Sequence, residues 1–312
     1  MKYEYDLVLG LPHTNQSGLA DHLLLAYAGH FQWMSIAQAI GVPLSELRTL
    51  AGGEVYATFY FIEERYPPGM SIATFQLDDR LRFAVFLRAF KNLAVEGQIL
   101  FDDPSRLVPA LATAGEVWPG AAVAERHPYI RFGNIFISPE GGNNRLRVAP
   151  PANGDFSTFP LLPNEENPRQ LTQAAEQSGD LGLLGAGWTP IDRQADFSVR
   201  YAIDMDRDTN GAGLVYFANY IAFMDAAERA ALGRNATRTM AADEMACRAV
   251  QHRRVAYYGN VSVDDTISTR VSLFGRSDDA RLIGARYAIS REQDGRMICC
   301  SETIKVLGGP AQ

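Results

Sequence analysis

The stretch Asp204–Arg229 reads DMDRDTNGAGLVYFANYIAFMDAAER, a polar, glycine-bearing turn set directly against the start of an amphipathic helix. Leu214, Phe217, Ile221, Met224 and Ala227, with Phe223 beside them, recur at the three-to-four-residue spacing of one helix face, so this helix lies against something flat. The backbone N–H groups at its start, with those of Gly211 to Gly213, form a cradle for a carbonyl oxygen that gains negative charge.

A strand over Phe197–Met205 precedes the turn, and the helix runs to about Leu232. Four strands follow it, HRRVAYYGNVSV, TISTRVSLFGRS, RLIGARYAISRE and RMICCSETIKVL, separated by DD, SDDA and QDG turn signals. One long helix followed by a meander is an α+β plan in which an antiparallel sheet wraps the helix. The N-terminal part repeats it: a strand near Tyr3–Gly10, a glycine turn at Gly18, and a helix through HLLLAYAGHFQWMSIAQAIG that ends at Gly41 before Val42-Pro43. VYATFYFIEE, MSIATFQLDD, RLRFAVFLRAF and VEGQILFDD read as its strands, and Tyr129–Ser138 adds a further one. The chain is thus an internal duplication, with residues 1–150 as the first unit, 151–190 as a linker and 191–312 as the second. Residues 102–190, rich in Pro, Gly and Asn, are expected mostly to drape over the surface.

A length of 312 residues suits two such units. The net charge of −7, with no run of Lys or Arg, argues against nucleic acid or an anionic membrane as partner. Three cysteines without metal or disulfide spacing fit a reducing compartment, and the N-terminus lacks a secretory pattern, so a cytoplasmic location is expected.

Alternation splits the strand after the first helix into a core face (Val55, Ala57, Phe59, Phe61) and a second face (Tyr56, Thr58, Tyr60, Ile62). Two phenols and a hydroxyl in a row make a wall for an acyl pocket, and Tyr56 or Tyr60 is a candidate nucleophile or hydrogen-bond donor. A phenol with a pKa near about 10 needs help to act as a nucleophile, and tyrosines are common in strands without any catalytic duty. Asp208 and Asn210, with Asp206 behind them, are candidate catalytic polar groups, although Asx-turn and cap chemistry uses the same residue types. Asn219 on the helix has reach to a substrate carbonyl. The five histidines have no metal spacing, so no metal is expected; His30, which follows Gly29, is the one most suited to a functional role. No G-x-S-x-G elbow is present, which weighs against serine hydrolysis.

The order of elements, with the D-x-D-x-x-x-x-G-x-x-Y-F-A-N-Y pattern, resembles the hotdog thioesterases and dehydratases that handle acyl groups on coenzyme A or carrier-protein pantetheine; here it implies a double hotdog. Over nearly the whole chain, LP and GL before the first helix, VYATFYF, GGNNRLRVAPP, DMDRDTNGAGLVYFANYIAFMDAA and VAYYGNVSVDDTI resemble the bifunctional acyltransferase/decarboxylase family of leinamycin-type polyketide biosynthesis. That resemblance implies removal of carbon dioxide from a (methyl)malonyl-CoA thioester and delivery of propionyl or acetyl to a phosphopantetheinylated acyl carrier protein. It implies a strand tyrosine as acyl acceptor, Tyr56 or, with a register slip, Tyr60. No cofactor is implied beyond the CoA thioester substrate. Decarboxylation makes an enolate, so its rate depends on donors around that oxygen, for which Tyr56, the amides near Gly18 and Leu19 or Gly213 and Leu214, Asn143 and Asn210 are candidates. His13, Thr58 and Gly211 complete the expected substrate-binding set. A thioesterase or dehydratase using Asp208 and a non-catalytic acyl-thioester binding module are the alternatives, either half can hold the site, and a homodimer would cover the outer sheet edges.

Overall fold

The computed structural model describes residues 1–114, 118–119, 125–138, 146–163, 167–191, 197–234 and 247–307. In the first half, β1 (Lys2–Val8) is followed by a small hairpin of β2 (Thr14–Asn15) and β3 (Gly18–Leu19), then by helix α1 (Asp21–Ile40). Strands β4 (Tyr56–Arg65), β5 (Arg80–Phe90), β6 (Ala94–Asp102) and β7 (Tyr129–Ser138) complete it, with α2 (Pro104–Ala114) between the last two. Two-residue β8 (Arg147–Val148), α3 (Arg169–Ser178) and β9 (Trp188–Pro190) lead to the second half. There β10 (Ser198–Ala202), the short α4 (Met205–Asp208) and α5 (Asn219–Arg234) precede β11 (Ala249–Tyr257), β12 (Thr266–Arg276), β13 (Leu282–Arg291) and β14 (Met297–Val306).

The strands form one antiparallel sheet in the order β1-β5-β6-β7-β4-β11-β14-β13-β12-β10. Each half has the same internal order, first strand, then the three meander strands, then the strand that follows the helix. The fold is therefore a double hotdog, an α+β architecture, in which β4 and β11 join the halves antiparallel from Phe61↔Ala256 to Arg65↔His252. The helix α1 ends at Gly41, which takes the left-handed conformation (φ 71°) that closes a helix without a Cβ penalty. A single apolar core runs through both halves, from Leu24, Ile36 and Phe83 to Ile221, Leu232 and Ile289. Among the described residues no helix is long and apolar enough to cross a membrane.

Three local features differ from the sequence reading. The stretch expected as a strand over MSIATFQLDD is instead a loop with a 3-10 turn at Ile72–Thr74; it buries Ile72, Ala73 and Phe75, and Phe75 accepts the Leu19 N–H at 3.0 Å. Its apolar residues cap the end of the helix layer, which gives the same composition as a strand. A bulge in β4 between Phe59 and Phe61 interrupts strict alternation: Phe59 and Ile62 both enter the central core, while Tyr60 and Phe61 are buried outside that cluster. The segment expected to drape carries α2 and α3. The first buries Leu107 and Leu111 against Ala84, Phe86 and Leu100, and the second places Ala175 over Ala256 and Cys300, beside the β4–β11 joint. Proline within α2 and a stripe of small residues in α3 blur the helical period.

Beneath one end of the joint lies a charged cluster. Arg253 of β11, almost wholly buried, pairs with Asp21 at the start of α1, with Glu64 of β4 at 3.6 Å and with Asp225 of α5 at 3.8 Å. Lys305 joins Asp225 at 2.7 Å to Glu228 at 2.5 Å, and Arg248 and Tyr287 also bind Glu228. Burial first, and then the charge of Asp21, hold the Glu64 carboxyl well above the usual carboxylate range. A carboxyl raised in the folded state keeps a proton that the unfolded chain releases, so its stabilising effect is complete at acid pH and fades as pH rises above the ordinary glutamate value. Glu64→Gln should therefore gain stability relative to the parent as pH rises from about 5 to about 8, by up to about 1.4 kcal/mol per pH unit. Parallel urea-midpoint curves for the two proteins would contradict this assignment.

Candidate active site

The turn ahead of α5 is fixed by its own polar side chains. The Asp204 carboxylate caps α4 by accepting from the Asp206 and Arg207 N–H groups. Asp208 accepts from Tyr201 Oη at 2.7 Å, from the Asp204 N–H at 2.9 Å and from Arg207 Nε at 3.3 Å. Asn219 Nδ2 donates to the carbonyls of Arg207 and Asp208. Asn210 Oδ1 accepts from the N–H groups of Ala212 and Leu214, and Gly213 supplies the positive φ (70°) that the turn requires. Asn260, just beyond β11, grips Val215 through both its N–H and its carbonyl.

This turn faces the start of β4 across a cavity of about 540 Å³, within the range of small-molecule sites. Glu54, Tyr56 and Thr58 form one wall, Asn210, Gly211 and Leu214 the other, and Trp33, Phe59, Phe217, Tyr220 and Tyr257 an aromatic interior. Two of the lining residues carry donors that lie beneath the cavity surface, Tyr220 Oη and Trp33 Nε1, both buried with no hydrogen-bond partner among the described residues. The N–H groups of Phe217 and Ala218, immediately before α5, likewise have no acceptor among the described residues, whereas Asn219 N–H donates to the Tyr216 carbonyl. Unpaired buried donors are costly unless a ligand or water accepts from them. The free amides at the start of α5, with Phe217 on the cavity wall and the positive end of that helix behind them, suit an oxygen that carries negative charge.

At the rim the exposed Glu54 carboxylate accepts the Tyr56 hydroxyl at 2.8 Å. That hydrogen bond, and then burial, raise the Tyr56 phenol above its ordinary value, which favours a donor over a phenolate nucleophile. Burial pushes Tyr216 up to about 12 and Tyr220 well above its ordinary value, so both stay protonated at neutral pH.

Of the residues singled out from sequence, Tyr56, Thr58, Asn210, Gly211 and Leu214 meet at this cavity, with Gly213 shaping its turn. Tyr60 lies in a separate apolar crevice under α3, where it donates to Asn167 Oδ1 at 3.1 Å. Asp208 and Asn219 flank a third hollow, beside Tyr201. Leu19 lines a polar cavity of about 340 Å³ near the other end of the joint, and neighbouring Gly18 packs tightly on the Phe75 carbonyl. His13 accepts from the Gly10 N–H and pairs with Tyr27 Oη, and His30 is exposed on α1. Asn143 lies outside the described residues. Trp33, Glu54, Phe217, Tyr220 and Asn260 join the site although the sequence reading makes none of them a site residue and assigns Phe217 only to the apolar helix face. Only the placement of Phe217 and Tyr220 at the mouth of the α5 helix offered a signal.

No protein-family model matches the sequence, and no curated protein matches it. Solved structures do match its shape over nearly the whole length. A protein provisionally named an oleoyl thioesterase, from Lactobacillus plantarum, has a TM-score of 0.61 at 11% identity, covering 98% of this chain and 95% of its own. The 12:0-ACP thioesterase from Umbellularia californica gives 0.59 at 10% identity, covering 98% and 94%. An acyl-ACP thioesterase from Bacteroides thetaiotaomicron gives 0.58 at 10%, covering 97% of each chain. At this identity the likeness establishes the double-hotdog fold.

Loss of an unpartnered buried hydroxyl and loss of a bracing amide should act oppositely on stability. Tyr220→Phe is expected to hold or raise the melting midpoint, and Asn260→Ala to lower stability by about 1–3 kcal/mol, measured by thermal and urea unfolding. A destabilised Tyr220→Phe would mean that its hydroxyl already has a partner.

Proposed function

We propose that this protein is an enzyme acting on acyl thioesters of coenzyme A or of a phosphopantetheinylated carrier protein, and that it hydrolyses them in the cavity between β4 and the turn before α5. The observation that carries this reading is the meeting, at one cavity, of a carboxylate (Glu54) with the start of α5, where the N–H groups of Phe217 and Ala218 have no acceptor among the described residues and Phe217 lines the wall. The thioesterase names of the full-length structural neighbours support it. The thioester carbonyl accepts from the backbone N–H groups at the start of α5. Glu54 takes a proton from water as the water oxygen bonds to the carbonyl carbon, and negative charge builds on the carbonyl oxygen, where the donors hold it. The carbonyl re-forms as the carbon–sulfur bond breaks, and the proton on Glu54 passes to the departing thiolate. No cofactor enters this scheme.

A second reading, decarboxylative acyl transfer, is favoured by the position of Glu54 at the rim rather than inside the aromatic interior. Loss of carbon dioxide from a (methyl)malonyl thioester needs no base. Its enolate oxygen would use the same amides, with Tyr56 as a further donor. The enolate carbon then takes a proton from water, and the carrier thiol, giving up its own proton, bonds to the carbonyl carbon as the carbon–sulfur bond to coenzyme A breaks and the CoA thiol leaves.

Glu54→Gln separates the two. Under the hydrolytic reading it lowers kcat for release of free acid from acyl-CoA or acyl-carrier protein by about a hundredfold or more, with the fold intact. Unchanged hydrolysis in that variant would remove Glu54 as base. Carbon dioxide release from methylmalonyl-CoA and a propionyl mass gain on the carrier, both undiminished by Glu54→Gln, would instead establish the transferase.

A further inference from the structure

Toward the core of the first half, the cavity is closed by aromatic rings. Phe217 sits where the turn enters α5, only 8% exposed, with its ring centroid 4.2 Å from that of Phe59 and 6.0 Å from that of Trp33. Behind these rings, Phe132 of β7 packs 4.7 Å from Phe59 and 6.0 Å from Phe217 and belongs to the core rather than to the cavity wall. Phe59 and Phe217 are thus the last layer between the cavity and the core of the first half.

That layer is held from below by a glycine. A Cβ on Gly29, in the middle of α1, would stand 2.6 Å from Phe217 Cζ and 3.3 Å from Phe59 Cζ. Glycine within a helix costs about 1 kcal/mol relative to alanine, and here it lets the ring of Phe217 lie directly on the α1 backbone. The neighbouring turns of the same helix face also meet the second half, since Tyr216 Oη donates to the Ala26 carbonyl at 3.3 Å and Trp33 lines the cavity.

We infer that Phe217, seated on Gly29 and backed by Phe59, is the floor of the acyl slot and limits it to acyl groups that are short or planar, excluding long alkyl chains. The inference rests on the acyl-thioester reading and deepens it. A chain that extends past the aromatic layer must displace packed rings, and each methylene that does not fit costs on the order of tenfold in affinity. Trp33 and Phe59 are stacked on each other with centroids 5.2 Å apart, and a planar acyl group can instead extend that aromatic wall by edge or face contact with the rings that line the cavity.

Binding of uncleavable S-(2-oxoalkyl)-CoA ketones, a series from acetonyl to long-chain homologues together with the phenacyl compound, tests the floor by titration calorimetry without relying on turnover. The parent protein should bind the short members and the phenacyl compound and lose affinity abruptly with length. Phe217→Leu should move that cut-off to longer chains, and Gly29→Ala, which pushes the ring into the slot, to shorter ones. Phe59→Leu gives a second lengthening variant should Phe217→Leu fold poorly. A cut-off that stays in place in the folded variants, or affinity that rises steadily through the longest chain in the parent, overturns the floor while leaving the acyl-thioester reading standing. Absence of binding by every analogue rejects both.

Discussion

The pairing of β4 with β11 is the constraint on which the rest of the molecule depends. Each half alone would present one of these strands as an open edge, a row of unpaired N–H and C=O groups that invites uncontrolled association. Joined from Phe61↔Ala256 to Arg65↔His252, they make one continuous sheet and bring α1 of one half against the turn and helix of the other. Residues far apart in sequence meet only because of this joint. Tyr56 and Asn210 line one cavity from opposite walls through it, and Asp21 and Asp225 share Arg253.

The two ends of the joint have diverged. The halves repeat one strand order, so each has a turn before its helix and a facing strand from the other half. At the end built from the turn before α5 the lining is aromatic, with a rim carboxylate and the free amides that precede the helix. At the end built from the turn before α1 it is polar: Asn15, Ser17, Asp21, Asp225, Arg248 and Lys305 surround a smaller cavity above the Arg253 cluster. Buried ion pairs recover little net energy against their desolvation, but removing one partner leaves a charge uncompensated. The polar end thus ties the helices together, while the aromatic end keeps an open cavity.

Much of this architecture was legible because periodicity reports burial. The strand Tyr129–Ser138, the end of α1 at Gly41 and the four strands after α5 follow directly from alternation, glycine and turn residues. The β4 bulge was not legible, since an extra residue at Tyr60 is defined by what Gly133 and Asn134 do on β7 and not by anything within VYATFYF itself. Nor were α2 and α3, whose short apolar stripes have meaning only against the outer face of a sheet already formed. Half of the cavity could be anticipated, because glycine turns before helices make donor clusters. The direction of Asp208 could not, because Tyr201 Oη and the Asp204 N–H lie outside any local motif that marks a carboxylate as engaged.

That engagement bears on how chemistry is divided within the site. Asp208 is buried and already accepts three hydrogen bonds, so a proton taken there would displace donors that hold the turn together. Asn210, the polar side chain of the turn that reaches the cavity wall, is an amide and accepts from two backbone N–H groups; it shapes the cradle without proton transfer. Glu54 differs from both. It lies on the opposite wall, exposed to solvent, with the Tyr56 hydroxyl as its partner, where water can reach it and where gaining a proton strains no packed element. Under the hydrolytic reading the turn before α5 stabilises charge on a carbonyl oxygen and Glu54, just ahead of β4, carries the proton, so that the amides and the carboxylate come from different halves of the duplicated fold and meet only across the joint.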